Sequence, residues 1–473
     1  MLKKLLVLMM VFLLALPGMA GCTGGRTTSS SESAESKQTR DFTPVSKNIK
    51  VAWLQQYWES KEDLQFLFDG FGRKYPEYKL DIVYNLAETS KLLAEIQSNN
   101  QPDLYLGGDP NWATYVTGCY QRLFKPLDEY LQYDKEYNFE TVPEKLLDTT
   151  KFYPDGRHYA IPYALAAFCL SYNRKLFEKS GLDPAKPPQT WTEWLEYNNR
   201  LIITDTNGIV QQIGMRWDAP YGYIIHPLRK HDIFTEDGLT SRNNEAWVSE
   251  DSIFASKFND KYNEKLPSGV EFTMANGNVG MDENTNLFNL NELTTSGIDF
   301  DIALLPHPDD FTERVVPALL WMYIAIPTGA KNPDGGWLFA KYACTGGQME
   351  AMQKAATANP KNFTPSYIIH TPTRERAYNL YMNKVDAKTK AIITKRDALI
   401  EQINYVIPYP PIQNKIGIVN DRWNKKYNDG EVTVAGANEG IYNELQQELA
   451  KWKEEMTSQG WNFPKDSKPF FGK

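Results

Sequence analysis

The chain of 473 residues carries 51 basic and 59 acidic side chains, a net charge of −8, with no basic block after its first residues. That balance excludes the electrostatic footprint of a nucleic-acid-binding protein. Cys22, Cys119, Cys169 and Cys344 are widely spaced with no CxxC pair, which excludes a disulfide scaffold and a zinc site and leaves the last three as expected buried thiols.

At the start, Lys3 and Lys4 precede an apolar run over residues 5–16, then Pro17 and Gly18, the pattern of a secretory signal peptide over residues 1–21. The run is shorter than the roughly 20 residues of a membrane-spanning helix, so cleavage is expected. Met19-Ala20-Gly21-Cys22 resembles the bacterial lipobox, in which the cysteine is acylated and becomes the mature N-terminus. Cys22 is therefore the expected lipidation site and residues 22–47 a flexible tether. Residues 23–39 are Ser, Thr, Gly and Glu with almost nothing apolar, too little burial to offset ordering entropy. The expected location is the extracytoplasmic face of a bacterial cell membrane.

From residue 49 the pattern alternates. A strand over 49–53 is followed by a helix over 60–73, with Ser60 and Asp63 at capping-box spacing and Leu64, Leu67, Phe68 and Phe71 on one face. Leu80, Ile82 and Tyr84 mark a second strand, Leu92, Leu93 and Ile96 a second helix, and residues 103–106 a third strand ending in Gly107-Gly108. This βαβ rhythm implies an α/β fold with parallel strands covered by helices, whose ligands bind beyond the carboxyl ends of the strands. That rule points to residues 53–58 and 107–112. An apolar strand through Leu170 follows, then Thr190-Trp191-Thr192-Glu193, a second capping box. Residues 300–305 and 319–326 read as strands and 334–344 as a helix. Ile441, Leu445, Leu449 and Trp452 have the spacing of a docked C-terminal helix. Aromatic residues make up 13% of the chain, and aromatic rings suit the C–H faces of sugars, although most pack in the core.

Several motifs carry a resemblance. Phe71-Gly72-Arg73-Lys74-Tyr75-Pro76 and Gln101-Pro102-Asp103-Leu104-Tyr105 are followed by three linked blocks. These are Gly156-Arg157-His158-Tyr159-Ala160-Ile161-Pro162-Tyr163, the segment 171–182 (SYNRKLFEKSGL), and Pro188-Gln189-Thr190-Trp191-Thr192-Glu193. Ile324-Ala325-Ile326-Pro327 runs on through Lys331-Asn332-Pro333. In this order the chain resembles the extracellular solute-binding proteins of family 1, the sugar-importer group that contains maltose-binding protein. The resemblance implies a two-lobed periplasmic-binding-protein fold, type II-like, with hinge strands and a ligand cleft. By analogy, residues 48–163 with 305–375 form lobe 1, and 164–304 with 376–473 form lobe 2. The chain crosses between lobes near 163–168, near 304–306 and near residue 371. A ligand touching both lobes would favour the closed form, which ABC permease subunits in the membrane would recognise.

The resemblance also suggests ligand contacts at Trp53, Gln55 and Trp58 after the first strand, where the alternative for Trp53 is packing under the following helix. Asp109, after Gly107-Gly108, either accepts sugar hydroxyls or caps the next helix. Tyr163 lies at the first crossing. Trp321 and Tyr323 are either a stacking platform or sheet core, and Trp217 sits where relatives place a second-lobe contact. Residues 272–287 resemble the "F-x-x-G-x-x-A-M" region but lack its downstream tryptophan, having Asp282, Asn284 and Asn286 instead, which suggests a more polar subsite. Trp423 is a further candidate, with a core role as the alternative.

No cofactor or metal is expected, and no catalytic residue. HExxH, GxSxG and Walker A motifs do not occur, and His158, His226, His231, His307 and His370 form no metal-like spacing. The expected partners are a sugar or oligosaccharide, the permease subunits, and the membrane through the lipid, with the protein a monomer. A surface carbohydrate-active enzyme and a binding protein serving a sensor kinase are the alternatives.

Overall fold

In the computed structural model the described residues are 40–54, 61–84, 89–108, 113–152, 155–215, 228, 266–288, 290–310, 313–358, 360, 363–407 and 411–461. Cys22, the signal segment, most of the tether, Ser60, and the candidates Gln55, Trp58, Asp109 and Trp217 lie outside the described residues. The strands in chain order are β1 (Asn48–Trp53), β2 (Lys79–Tyr84), β3 (Leu104–Gly108), β4 (Lys151–Phe152), β5 (Arg157–His158), β6 (Ile161–Ala166) and β7 (Phe168–Asn173). They continue with β8 (Ile203–Thr204), β9 (Val210–Met215), β10 (Val279–Asn286), β11 (Phe300–Ala303), β12 (Pro317–Ala325) and β13 (Tyr405–Val406).

In strand β1 the residues Ile49, Val51, Ala52 and Trp53 are all buried, while Asn48 is exposed and Lys50 half-buried, so burial reaches both faces toward the end of the strand, as a parallel strand covered by helices requires. It pairs in parallel with β2, Val51 opposite Ile82, and with β3, Val51 opposite Leu104. The helix Lys61–Lys74 covers one face with Leu64, Leu67, Phe68 and Phe71. Its acidic first turn, Glu62 and Asp63, and basic last turn, Arg73 and Lys74, suit the helix dipole. The sheet runs β13-β12-β3-β1-β2, and β6 pairs antiparallel with β12. A second sheet runs β11-β7-β10-β9-β8.

Gly107 and Gly108 belong to β3 itself, paired with Tyr323 and Met322 of β12. A Cβ on Gly107 would meet the Tyr323 and Tyr105 rings at 2.5 and 2.6 Å. Gly107 therefore serves the close approach of two tyrosine rings, and Gly108 that of the Trp321 carbonyl, 2.9 Å from where a Cβ would stand.

Asp103 and Asn332 join the edges of this layer. Asp103 accepts the N–H of Lys50 at 2.9 Å and of Asn332 at 2.8 Å, while the Asn332 amide donates to the carbonyls of Ser46 and Asn48. Behind Asn332 the helix Pro333–Tyr342 passes into a π-helical segment, Ala343–Gly347. The N-cap at Thr190 forms with a displaced partner. Thr190 accepts the N–H of Glu193, but the Glu193 carboxylate takes the N–H of Gln189, one residue before the position a capping box uses. Cys119, Cys169 and Cys344 are buried free thiols.

One residue separates β6 in the first sheet from β7 in the second. Ala167 donates its N–H to Asn286 Oδ1 at 3.3 Å and accepts from Leu287 at 2.9 Å. Residues 376–473, grouped with the second lobe by analogy, divide their contacts. Lys395 pairs with Asp301 of β11, whereas β13 lies on the first sheet and Trp452 meets Tyr120 edge-on at 4.5 Å.

Candidate functional site

A cavity of about 840 Å³ is lined by strands of both sheets. Strand β6 contributes Pro162 to Leu165, β12 contributes Trp321 and Met322, and β10 contributes Val279 and the residues from Met281 to Asn286. Residues 271–275, Ser366, Tyr367, Ile369 and His370 also line it, with Tyr137, Phe288, Leu293, Cys344 and Gln348.

The polar part of the wall has a local cause in β10. Its pairing with β7 shifts register, Asp282 opposite Ser171 but Thr285 opposite Cys169. Three steps along β10 thus meet two along β7, a bulge, and bulges re-aim side chains. Asp282 Oδ1 accepts the N–H of Asn284 at 2.7 Å, closing a turn within the bulge. Ser171 and Thr285 hydroxyls, 2.7 Å apart, pin the strand beyond it. Glu283 is buried, Asp282 half-buried and Asn284 exposed, and all three line the cavity. Asn286 Oδ1 also accepts the N–H of Phe288 at 3.1 Å.

Tyr163, Trp321, Asp282 and Asn284 are brought together on this wall. Trp53 is not among its lining residues. It is fully buried, with its ring edge-on to Phe68, Tyr163 and Phe339, because the end of a parallel strand under a helix is core. Tyr323 is likewise core, packed among Tyr105, Tyr115 and Phe124, with its hydroxyl 3.0 Å from Thr114 Oγ1. Burial pushes that phenol well up from its ordinary value. Trp423 lies between the helices Gln413–Asn428 and Val434–Ser458, where its Nε1 donates to Glu444 at 2.9 Å. It is not part of the cavity wall.

The sequence reading missed Tyr137, Gln348, Ser366, Tyr367 and His370. Tertiary contacts alone bring these to the wall. His370 is buried, and both ring nitrogens are committed. Nε2 donates to the carbonyl of Glu136 at 2.9 Å, so Nδ1 is the acceptor that caps Thr373. Burial holds its pKa below the ordinary histidine value. Among the described residues, the charged side chains lining the cavity are Glu271, Asp282 and Glu283, with no lysine or arginine. No group of three His, Cys, Asp or Glu side chains able to hold a metal ion occurs among the described residues.

A family model described as bacterial extracellular solute-binding protein matches residues 57–349. The sn-glycerol-3-phosphate-binding periplasmic protein UgpB of Salmonella typhimurium is 27% identical over 155 residues, 32% of this chain. The match spans only 34% of that relative's length. Among solved structures, the ABC substrate-binding protein Lmo0181 from Listeria monocytogenes, in complex with cycloalternan, is 16% identical with a TM-score of 0.61. It covers 85% of this chain and 99% of its own. The maltose/maltodextrin-binding domain MalE from Bdellovibrio bacteriovorus, bound to maltotriose, is 17% identical with a TM-score of 0.59, covering 86% and 100%. These likenesses establish the two-lobed α/β fold of periplasmic solute-binding proteins.

Proposed function

The chain belongs to the bacterial extracellular solute-binding protein family, and from that premise we propose that it is the substrate-binding subunit of an ABC importer for a neutral sugar or oligosaccharide. The observation that carries this reading is the cavity wall. Tyr163 and Trp321 offer aromatic surface, and the Asp282–Asn284 bulge offers carboxylate and amide groups beside them. Rings pack on the C–H faces of a sugar while carboxylates accept its hydroxyls. With three lining carboxylates and no lining cation among the described residues, the wall suits a neutral polyol better than a phosphate ester.

In this reading the two sheets are the centres of the two lobes, and the ligand is held between strands contributed by both. Contact with both lobes stabilises the closed arrangement, and closure about Ala167 and the segment between β11 and β12 presents it to the permease. No covalent step is required. Cys22 would carry the lipid that holds the monomer at the outer face of the membrane, with residues 23–39 as its leash.

The test is thermal unfolding of the purified protein with mono- and oligosaccharides and with sn-glycerol 3-phosphate. A saturating rise of the midpoint with an intact saccharide supports the reading, since ligand at 100 times its Kd adds about 2.7 kcal/mol. A rise with glycerol 3-phosphate alone overturns the neutral-ligand assignment. Cleavage of the glycan in the same assay moves the protein to the enzymes.

A further inference from the structure

Residues 363–370 form neither helix nor strand, yet all of them are buried except the half-buried Ser366. Ser366, Tyr367, Ile369 and His370 line the cavity. A buried stretch without a ladder or a helix must find partners elsewhere for its carbonyls, and here two guanidinium groups supply them. Arg396 donates to the carbonyl of Pro365, and Arg374 to those of Ile368 at 2.7 Å and Ile369 at 3.4 Å. The same two cations stand near one ring of this strap, that of Tyr367, with Arg374 4.3 Å and Arg396 5.9 Å from its centroid.

Arg396 is the unusual member of the pair. It is completely buried, which an arginine almost never is unless its charge is paired. It donates also to the Tyr378 hydroxyl and to Asp397 Oδ1, the latter at 2.9 Å, so three acceptors fix the guanidinium. The helix that carries it, Ala387–Ile400, is fastened to the second sheet, where Lys395 pairs with Asp301 of β11 at 2.9 Å and Lys388 with the adjoining Asp299 at 2.7 Å. At the far end of the strap His370 is tied to the carbonyl of Glu136. Neither arginine lines the cavity, so what the pair does there it does through the strap.

We propose that Arg396 and Arg374 are positioning residues for the cavity. They touch no ligand, and they hold the strap where Ser366, Tyr367, Ile369 and His370 complete the wall. A wall already in place costs a ligand little ordering entropy, whereas a released strap would have to be ordered at each binding event. The inference rests on the cavity being the ligand site of the proposed function.

Arg396→Met and Arg374→Met, made singly in the purified protein, test it, the half-buried Arg374 being the milder change. Leu445→Ala, in the apolar cluster of the two C-terminal helices, is the control for lost stability alone. The probes are maltotriose, mannotriose and cellotriose, with affinity read by titration calorimetry at a temperature where every variant is fully folded. Hydrogen exchange of the unliganded proteins is followed by mass spectrometry over residues 363–370 and, for comparison, 61–74. Both methionine variants should exchange roughly tenfold faster over 363–370 and like the parent over 61–74. Their affinity for the trisaccharide the parent binds should fall roughly tenfold, while Leu445→Ala keeps the parent's affinity. Exchange over 363–370 as slow as the parent's, parental affinity in the methionine variants, or an equal loss in Leu445→Ala overturns the positioning role. Arg374→Met decides alone if Arg396→Met does not fold. If the parent binds none of the three sugars, it is the saccharide reading that fails, and the positioning role falls with it.

Discussion

The indole of Trp53 stands edge-on to the ring of Tyr163, with centroids 5.5 Å apart and planes at 81°. The first ring is sealed in the core and the second is on the cavity wall, so Trp53 packs against Tyr163 rather than lining the cavity itself. Trp53→Ala should cost about 3–5 kcal/mol of stability in denaturant titration. Tyr163→Phe should leave the core intact and change saccharide affinity instead. A Trp53→Ala protein as stable as the parent would show that the indole is not core.

The bulge in β10 makes a sharper claim about charge. Asp282→Ala removes the acceptor that closes the turn to Asn284 and a carboxylate from the wall. Saccharide affinity should fall by about 1.5–3 kcal/mol, the range for hydrogen bonds to a charged group. Unchanged affinity in calorimetry would remove the bulge from the site.

Asn286 serves the crossing as well as the cavity. Its Oδ1 accepts the N–H groups of Ala167 and Phe288, so Asn286→Ala leaves both without that acceptor. The expected loss is about 1–3 kcal/mol. Asn286→Asp keeps the acceptor and should recover much of it, measured by unfolding at neutral pH. Equal losses in the two variants would argue against the acceptor role.

Acid should weaken the fold through buried histidines. His158 and His370 both have pKa values held below the ordinary 6.5, first by burial. Around His370 the charges of Glu136 oppose that shift and those of Arg374 and Arg376 add to it. Below about pH 6.5 the unfolded chain therefore binds more protons than the folded one. The stability is present above that pH and is lost as pH falls toward the lowered folded values. Protonating His370 also puts a hydrogen on Nδ1, where Thr373 now donates. Unfolding midpoints measured from about pH 7.5 down to pH 5 should decline, and His370→Gln should flatten the decline.

The first βαβαβ run was legible because its signals are local. Leu64, Leu67, Phe68 and Phe71 repeat at helical spacing, and β1 carries Ile49, Val51, Ala52 and Trp53 within six residues. The site was only half legible. Asp282, Asn284 and Asn286 stood out because the tryptophan expected downstream of this region is absent, but Glu283 gave no signal, since only the bulge puts three successive residues on one cavity. Trp53 and Tyr323 misled because an aromatic near a strand end suits core and cleft equally, and burial decides. Tyr137 and Tyr367 are 230 positions apart in sequence, and only the packing of His370, Trp337 and Phe288 brings them to one wall.

The direct passage from β6 through Ala167 into β7 gives the molecule a stiff beam where many two-part proteins have a slack tether. Six strand residues at roughly 3.3 Å each make a lever arm of about 20 Å. A few degrees of torsion at its fulcrum therefore move the far end of the arm by an ångström or more, the scale on which hydrogen bonds are made or lost. In the proposed closure such a joint would pass the movement of one sheet directly to the other, tying recognition at the cavity to the outward posture of the molecule. Lengthening the beam by one inserted glycine would uncouple them while leaving both sheets whole.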